Sequence, residues 1–187
     1  MKKILLSIAA SSLLIVNFAN AKDYVVDTAH SQVGFKIKHM QISNVKGNFN
    51  KFSGDIDFDE NTKKLKKLNA TIAIDSVNTN NNNRDNHLKQ ADYFDAKKFP
   101  EMKFEMTEFI AESQDEGKVK GNLTIKGVTK PITLDYDFGG EIKNDKADKI
   151  GFTLEGKIDR TAFGVGESSV ALGSEVKLEI EIEANAK

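Results

Sequence analysis

Few side chains in this 187-residue chain could do chemistry. There are three histidines (His30, His39 and His87), two arginines (Arg84 and Arg160) and no cysteine. In "DTAHS", Asp27, His30 and Ser31 stand together, but a catalytic triad is a matter of spatial geometry, not of adjacency on a turn. His30 and Ser31 read instead as the structural start of the first strand. No Gly-x-Ser-x-Gly elbow and no phosphate-cradling glycine loop occurs. Three scattered histidines without cysteine or H-x-x-x-H spacing do not make a zinc site, so no metal is expected.

The arginines say more. A chain with 25 lysines uses guanidinium twice, in "NRDNHL" and "IDRTAFG". A planar fork holds a carboxylate or phosphate bidentately, and an ammonium does not. Two roles stay open: pairing with Asp85, Asp92 or Asp159 to pin a loop, or facing the polar head of a ligand. His39 follows the apolar face of its strand, either as a rim residue or as a polar contact at a cavity mouth.

The elements that position these residues are strands. In "SEVKLEIEIEA", Val176, Leu178, Ile180 and Ile182 alternate with Lys177, Glu179, Glu181 and Glu183. Period two gives one oily and one wet face on a strand and scatters on a helix. The pattern recurs over Val33–His39, Val45–Phe58, Leu68–Ile74, Met102–Met106, Val119–Ile125, Ile132–Phe138 and Ile150–Ile158, eight strands in all. Parity slips near Asn50-Lys51, which predicts a bulge or bend. Gly127 to Pro131 is short enough for a hairpin. One short helix, about Arg84 to Ala91 with Asn83 as cap, is inserted between strands three and four. The asparagine-rich run before it reads as a flexible rim, and Arg84 to Phe94 as a lid. Eight antiparallel strands of this kind close into a barrel or stack as a sandwich.

Residues 1–21 carry Lys2 and Lys3, an apolar stretch from Ile4 to Phe18, and an Ala19-Asn20-Ala21 cleavage site, the pattern of an export signal. One domain, 22–187, remains. Its net charge is the chain's −1 less the two lysines, or −3. That balance argues against nucleic acid as the main partner. No later stretch is apolar enough to span a bilayer.

Five blocks, "HSQVGFKIKHM", "VKGNFNKFSGDIDFD", "AIDSVNTNNNNRDNHLKQADYFDAKKFPEMKF", "GNLTIKGVTKPITL" and "IDRTAFG", resemble the YceI-like family in that order, over nearly all of the exported chain. The resemblance implies an all-β, eight-stranded antiparallel lipocalin-like barrel, periplasmic location and a homodimer. It also implies a long-chain lipid ligand, isoprenoid or acyl, in an internal cavity, with no other cofactor. Cavity-lining aromatics would fall on Phe35, Phe49, Phe104 and Phe152. The "RDNHL…DYFD" block maps to Arg84, Asp85, His87, Leu88, Tyr93 and Phe94, and "DRTAFG" to Asp159, Arg160, Phe163 and Gly164. With Ile37 and His39 from the inward face of strand one, the expected ligand-binding set is Phe35, Ile37, His39, Phe49, Arg84, His87, Phe94, Phe104, Phe152, Arg160 and Phe163. Two other readings remain: a barrel packed solid that binds a partner protein, and a lipid-modifying enzyme with His39 or His87 as base.

Overall fold

The structure, a computed structural model, describes residues 21–187. The expected signal segment, but for Ala21, lies outside the described residues. The strands are β1 (Ala21–Val26), β2 (Gln32–His39), β3 (Ser43–Phe49), β4 (Phe52–Asp59), β5 (Lys64–Ala73), β6 (Val77–Asn78), β7 (Glu101–Ala111), β8 (Glu116–Ile125), β9 (Val128–Asn144), β10 (Ala147–Asp159) and β11 (Leu172–Ala186). Helix α1 (Asn82–Leu88) lies between β6 and β7.

Every pairing is antiparallel, and the sheet closes because β11 bonds β10 on one side and both β1 and β2 on the other. β1 and β2 run end to end along β11. In the same way β3 and β4 form one broken strand, and so do β5 and β6. Eleven segments thus occupy eight positions of a closed barrel, the arrangement that removes sheet edges. The parity slip at Asn50-Lys51 is the break between β3 and β4. Phe49 and Phe52 both bury on either side of it, completely or in part.

The breaks leave backbone groups without ladder partners, and serine hydroxyls take them up. Ser76 Oγ accepts from Lys51 N at 3.0 Å and donates to Ala73 O at 2.7 Å. Ser31 Oγ donates to Glu183 O at 3.1 Å and accepts from Glu183 N at 2.9 Å. Ser31 therefore has the structural role expected of it. β1 was not legible in the sequence: only Tyr24 of its six residues is fully buried.

The barrel has two storeys. At the end holding Ala21 and Lys187, six aromatic rings interlock. Tyr24 meets Phe58 edge-on at 6.1 Å, Phe58 stacks on Phe138 at 5.5 Å, Phe109 meets Tyr136 edge-on at 5.1 Å, and Tyr136 tilts against Phe152 at 5.5 Å. Val119, Ile150 and Ala184 fill the remainder. Edge-to-face and offset contacts suit the ring quadrupole and seal this end. Two hydroxyls leave the plug: Tyr136 donates to Lys63 O at 3.4 Å, and the Tyr24 hydroxyl lies 3.0 Å from both Glu60 and Asp148. For Tyr24 the surroundings are charged. Burial and these two carboxylates raise its pKa, and Lys22 and Lys143 pair with the carboxylates.

Candidate functional site

The other storey is hollow. A cavity of about 500 Å³ begins above the aromatic plug and opens at the end that carries α1. Inward side chains of successive strands make its wall: Ile72 and Phe104, then Leu123, Leu134, Leu154 and Leu178. Phe104 apart, the sequence marked these positions as an inward face but not as site residues, because alternation reports which way a side chain points and not whether it meets another across the barrel.

The hollow exists because rings lie flat along the wall. An ideal Cβ on Gly47 would stand 2.4 Å from Phe35 Cζ, and one on Gly121 would stand 2.3 Å from Phe104 Cζ. Each phenylalanine covers a glycine on the adjacent strand, a pairing that fills the gap the glycine leaves in the sheet face. Rings held in this way do not reach the barrel axis. Phe35 then tilts against Phe49 at 5.6 Å, and Phe49 meets Phe94 of the lid edge-on at 5.9 Å.

The lid begins with the asparagine run. It is a set of local hydrogen bonds, not a slack rim. Asn78 Oδ1 accepts from Asn80 N at 2.9 Å, Asn80 takes the left-handed backbone (φ 58°), and Asn81 Oδ1 caps the helix by accepting from Arg84 N at 3.1 Å. Asparagine suits all three tasks. The helix consequently spans 82–88, two residues earlier than expected, with Asn81 and not Asn83 as cap.

Arg84 lines the cavity mouth, with Nε donating to Thr79 Oγ1 at 2.7 Å and Nη2 to Thr79 O at 2.8 Å. Thr79 in turn donates from N (2.9 Å) and Oγ1 (2.5 Å) to the buried Asp85. The expected Arg84–Asp85 pair is therefore relayed through a threonine. His87 Nε2 lies 2.7 Å from Asp92 Oδ2, and its ring meets Tyr93 edge-on at 4.9 Å. This bond lowers the Asp92 pKa.

Arg160 pins a loop, as foreseen, but through carbonyls and not through a carboxylate. It is 5 % exposed and pairs with no carboxylate among the described residues. Its guanidinium donates to the carbonyls of Gly173, Val165, Glu167 and Leu172 and so folds the loop from 160 to 173. Its side chain still borders the cavity.

Nine of the eleven expected positions border the hollow: Phe35, Ile37, His39, Phe49, Arg84, His87, Phe94, Phe104 and Arg160. Phe152 and Phe163 do not. Phe152 belongs to the aromatic plug, one storey away. Phe163, 2 % exposed, packs behind the wall in a short 3₁₀ turn. Lys126 had no signal in the sequence. It sits in the two-residue β8–β9 turn, and its Nζ donates to Ala91 O at 2.8 Å and Gly164 O at 2.9 Å, clamping the lid to the loop after β10. The hairpin is Lys126-Gly127, with positive φ at both residues as a type I′ turn requires. It is shorter than the Gly127–Pro131 connection foreseen.

Outside the cavity, Asp27, His30 and Glu183 gather within 4.8 Å. A lysine already supplies the cation there: Lys149 Nζ lies 2.5 Å from Glu183 Oε1 and 3.5 Å from Asp27 Oδ2.

Comparison with known proteins agrees with this architecture. A solved YceI protein of Campylobacter jejuni is 51 % identical over 86 % of this chain and 96 % of its own, with a TM-score of 0.76. A curated protein of Vibrio campbellii, called only a UPF0312 protein, is 35 % identical over 100 % of both chains. A polyisoprenoid binding domain from Saccharophagus degradans shares the fold at 13 % identity, with a TM-score of 0.64 over 88 % of this chain and 98 % of its own. The family model for the YceI-like domain matches residues 24–184, nearly the whole barrel, from within β1 to within β11, and the chain therefore belongs to the YceI-like family.

Proposed function

We propose that this protein binds and carries one long apolar molecule, an isoprenoid or acyl lipid, tail inward in the upper storey of the barrel, in the periplasm after loss of its signal segment. One observation carries the reading: a cavity of about 500 Å³, blind at the aromatic plug, with its charged side chains gathered at the open end. Sites for small molecules have volumes of roughly 300–1,000 Å³ and mostly apolar walls. At roughly 30 Å³ per water-sized group, the hollow takes about 16 heavy atoms. That is one acyl chain or about three isoprene units, and a longer tail has to leave through the mouth. Burying about 16 such groups is worth roughly 13 kcal/mol gross, and association returns several kcal/mol of it. Affinity in the micromolar range follows.

The blind end dictates orientation. A polar head carried into the aromatic plug would lose its water without a partner, so the head stays among Arg84, His87 and His39. Catalysis finds less support. No nucleophilic hydroxyl bonds either rim histidine ring among the described residues. The fold is one that in the Saccharophagus neighbour is described as polyisoprenoid-binding.

Native mass spectrometry of gently purified protein tests the proposal, with a lipid-sized added mass as the expected result. Ala70, on the cavity wall, supplies the variant. Ala70→Trp fills the hollow without introducing charge, so it should lose the added mass while the melting temperature holds or rises. Protein without lipid from every preparation, or an unchanged load in Ala70→Trp, would overturn the proposal.

A further inference from the structure

The open end carries a second feature that the cavity does not use. Two loops rise above the rim side by side: the β2–β3 tip, Met40 to Ile42, and the segment before β11 that holds Val170. They are tied by Met40 N donating to Ala171 O at 2.8 Å. Ile42 is 85 % exposed, Val170 84 % and Met40 54 %. These include the two most exposed large apolar side chains among the described residues. Met40 and Gln41 hold left-handed backbone (φ 51° and 61°) without being glycine, so the tip has one defined shape that presents Met40 and Ile42 to solvent.

The β2–β3 tip is cationic: the stretch from Lys36 to Lys46 has three lysines and no acidic residue, while the other loop carries one exposed carboxylate, Glu167. Lys36 pairs with Glu179, whereas Lys38 and Lys46 are exposed and have no ion-pair partner among the described residues. The bases of both loops, His39, Val45, Ser169 and Ala171, border the cavity. Beside them the barrel wall is thin, since β3 bonds β6 only through Asn48 and Phe49 and leaves Ser43 to Gly47 unpaired on that edge.

We propose that Met40, Ile42 and Val170 form a docking surface for a lipid bilayer bearing anionic headgroups, with Lys38 and Lys46 at headgroup level. Apolar side chains at protruding tips, with lysines flanking the β2–β3 tip, match the depth profile of a membrane interface, where apolar groups enter the acyl boundary and cations stay with the phosphates. A protein partner needs roughly 800 Å² of complementary surface, which two narrow tips do not offer. Docked in this way, the mouth faces the acyl region and a chain passes between bilayer and barrel without crossing water. The purpose of the surface rests on the carrier reading; its measurement does not.

The test is co-sedimentation of the leaderless protein with vesicles of phosphatidylcholine, alone or mixed with phosphatidylglycerol. Attachment is expected to the mixed vesicles. It should fall at least about tenfold in the Ile42→Asp, Val170→Asp double variant, and by about fivefold for each of Lys38→Gln and Lys46→Gln. All these side chains are exposed, so thermal melts should match the parent. No attachment, or attachment indifferent to the double variant, overturns the proposal. So does a dimer by light scattering that the double variant splits, which would assign the tips to a second copy of the chain. Native mass spectrometry on the same samples separates the two readings: lipid in the barrel without vesicle attachment leaves the carrier proposal standing, and attachment with an always-empty barrel leaves only the docking surface.

Discussion

Gly47 and Gly121 hold the cavity open although neither residue borders it. Each leaves a depression in the sheet face that a phenylalanine covers, and the ring stays against the wall. Gly47→Ala puts a methyl group 2.4 Å from Phe35 Cζ, so the ring must swing into the lumen. The expected cost is about 1–3 kcal/mol, read from urea unfolding, together with a shift of bound lipid toward shorter chains. Phe152 behaves differently because it sits in the plug. Phe152→Asp would bury a carboxylate among rings and should give insoluble protein, while Phe35→Asp, half-buried at the cavity wall, should fold and lose its lipid; solubility and bound mass separate the two. Asp27 gives a pH signature. Hydrogen bonding to His30 lowers its pKa from 3.8 to about 2. A depressed folded-state value contributes stability that is present above the unfolded pKa and lost as pH falls through the folded one. Asp27→Asn should therefore flatten the fall in urea midpoint between about pH 4 and pH 2.

At the scale of elements, the lid is fastened at points the barrel supplies. Lys126 holds the loop after α1 from one side, and Gly166 N donates to Asp92 O at 2.9 Å from another. Lys126→Ala should speed amide hydrogen exchange in residues 89–96, leave the barrel strands protected, and raise the rate at which lipid leaves. Arg160 fastens the loop behind the lid through four carbonyls. Removing it strands those acceptors, so Arg160→Ala should cost about 3 kcal/mol or more in denaturant unfolding. Arg160→Lys should restore little of this, because an ammonium cannot reach acceptors spread around a planar fork. A full rescue by lysine would show that charge and not geometry holds the loop.

The whole molecule divides its interior between stability and capacity. The plug storey buries Tyr24, Phe58, Tyr136 and Phe152 to 3 % exposure or less and anchors a hollow that contributes little packing of its own. Filling the hollow should then stabilise the fold by mass action. Added palmitate or farnesol should raise the melting temperature of delipidated protein in a concentration-dependent way, and an unchanged melt at saturating lipid would show that the cavity does not take these chains.

Much of this was legible in the sequence, for local reasons. Val176 to Ile182 alternate, so their strand and its inward face follow from period two alone. The slip at Asn50-Lys51 announced the break between β3 and β4, and the lid was marked by its polar start and apolar residues. Tertiary structure alone decided where the inward residues meet. Phe104 and Phe152 have the same residue type and the same parity, yet one lines a hollow and the other plugs a barrel. Their heights along the axis, and whether a neighbouring strand offers a glycine to lie on, depend on the register between strands distant in sequence. The carbonyls that Arg160 gathers likewise converge only when its loop is folded. Periodicity encodes a direction, whereas an empty space is a relation among eight strands at once.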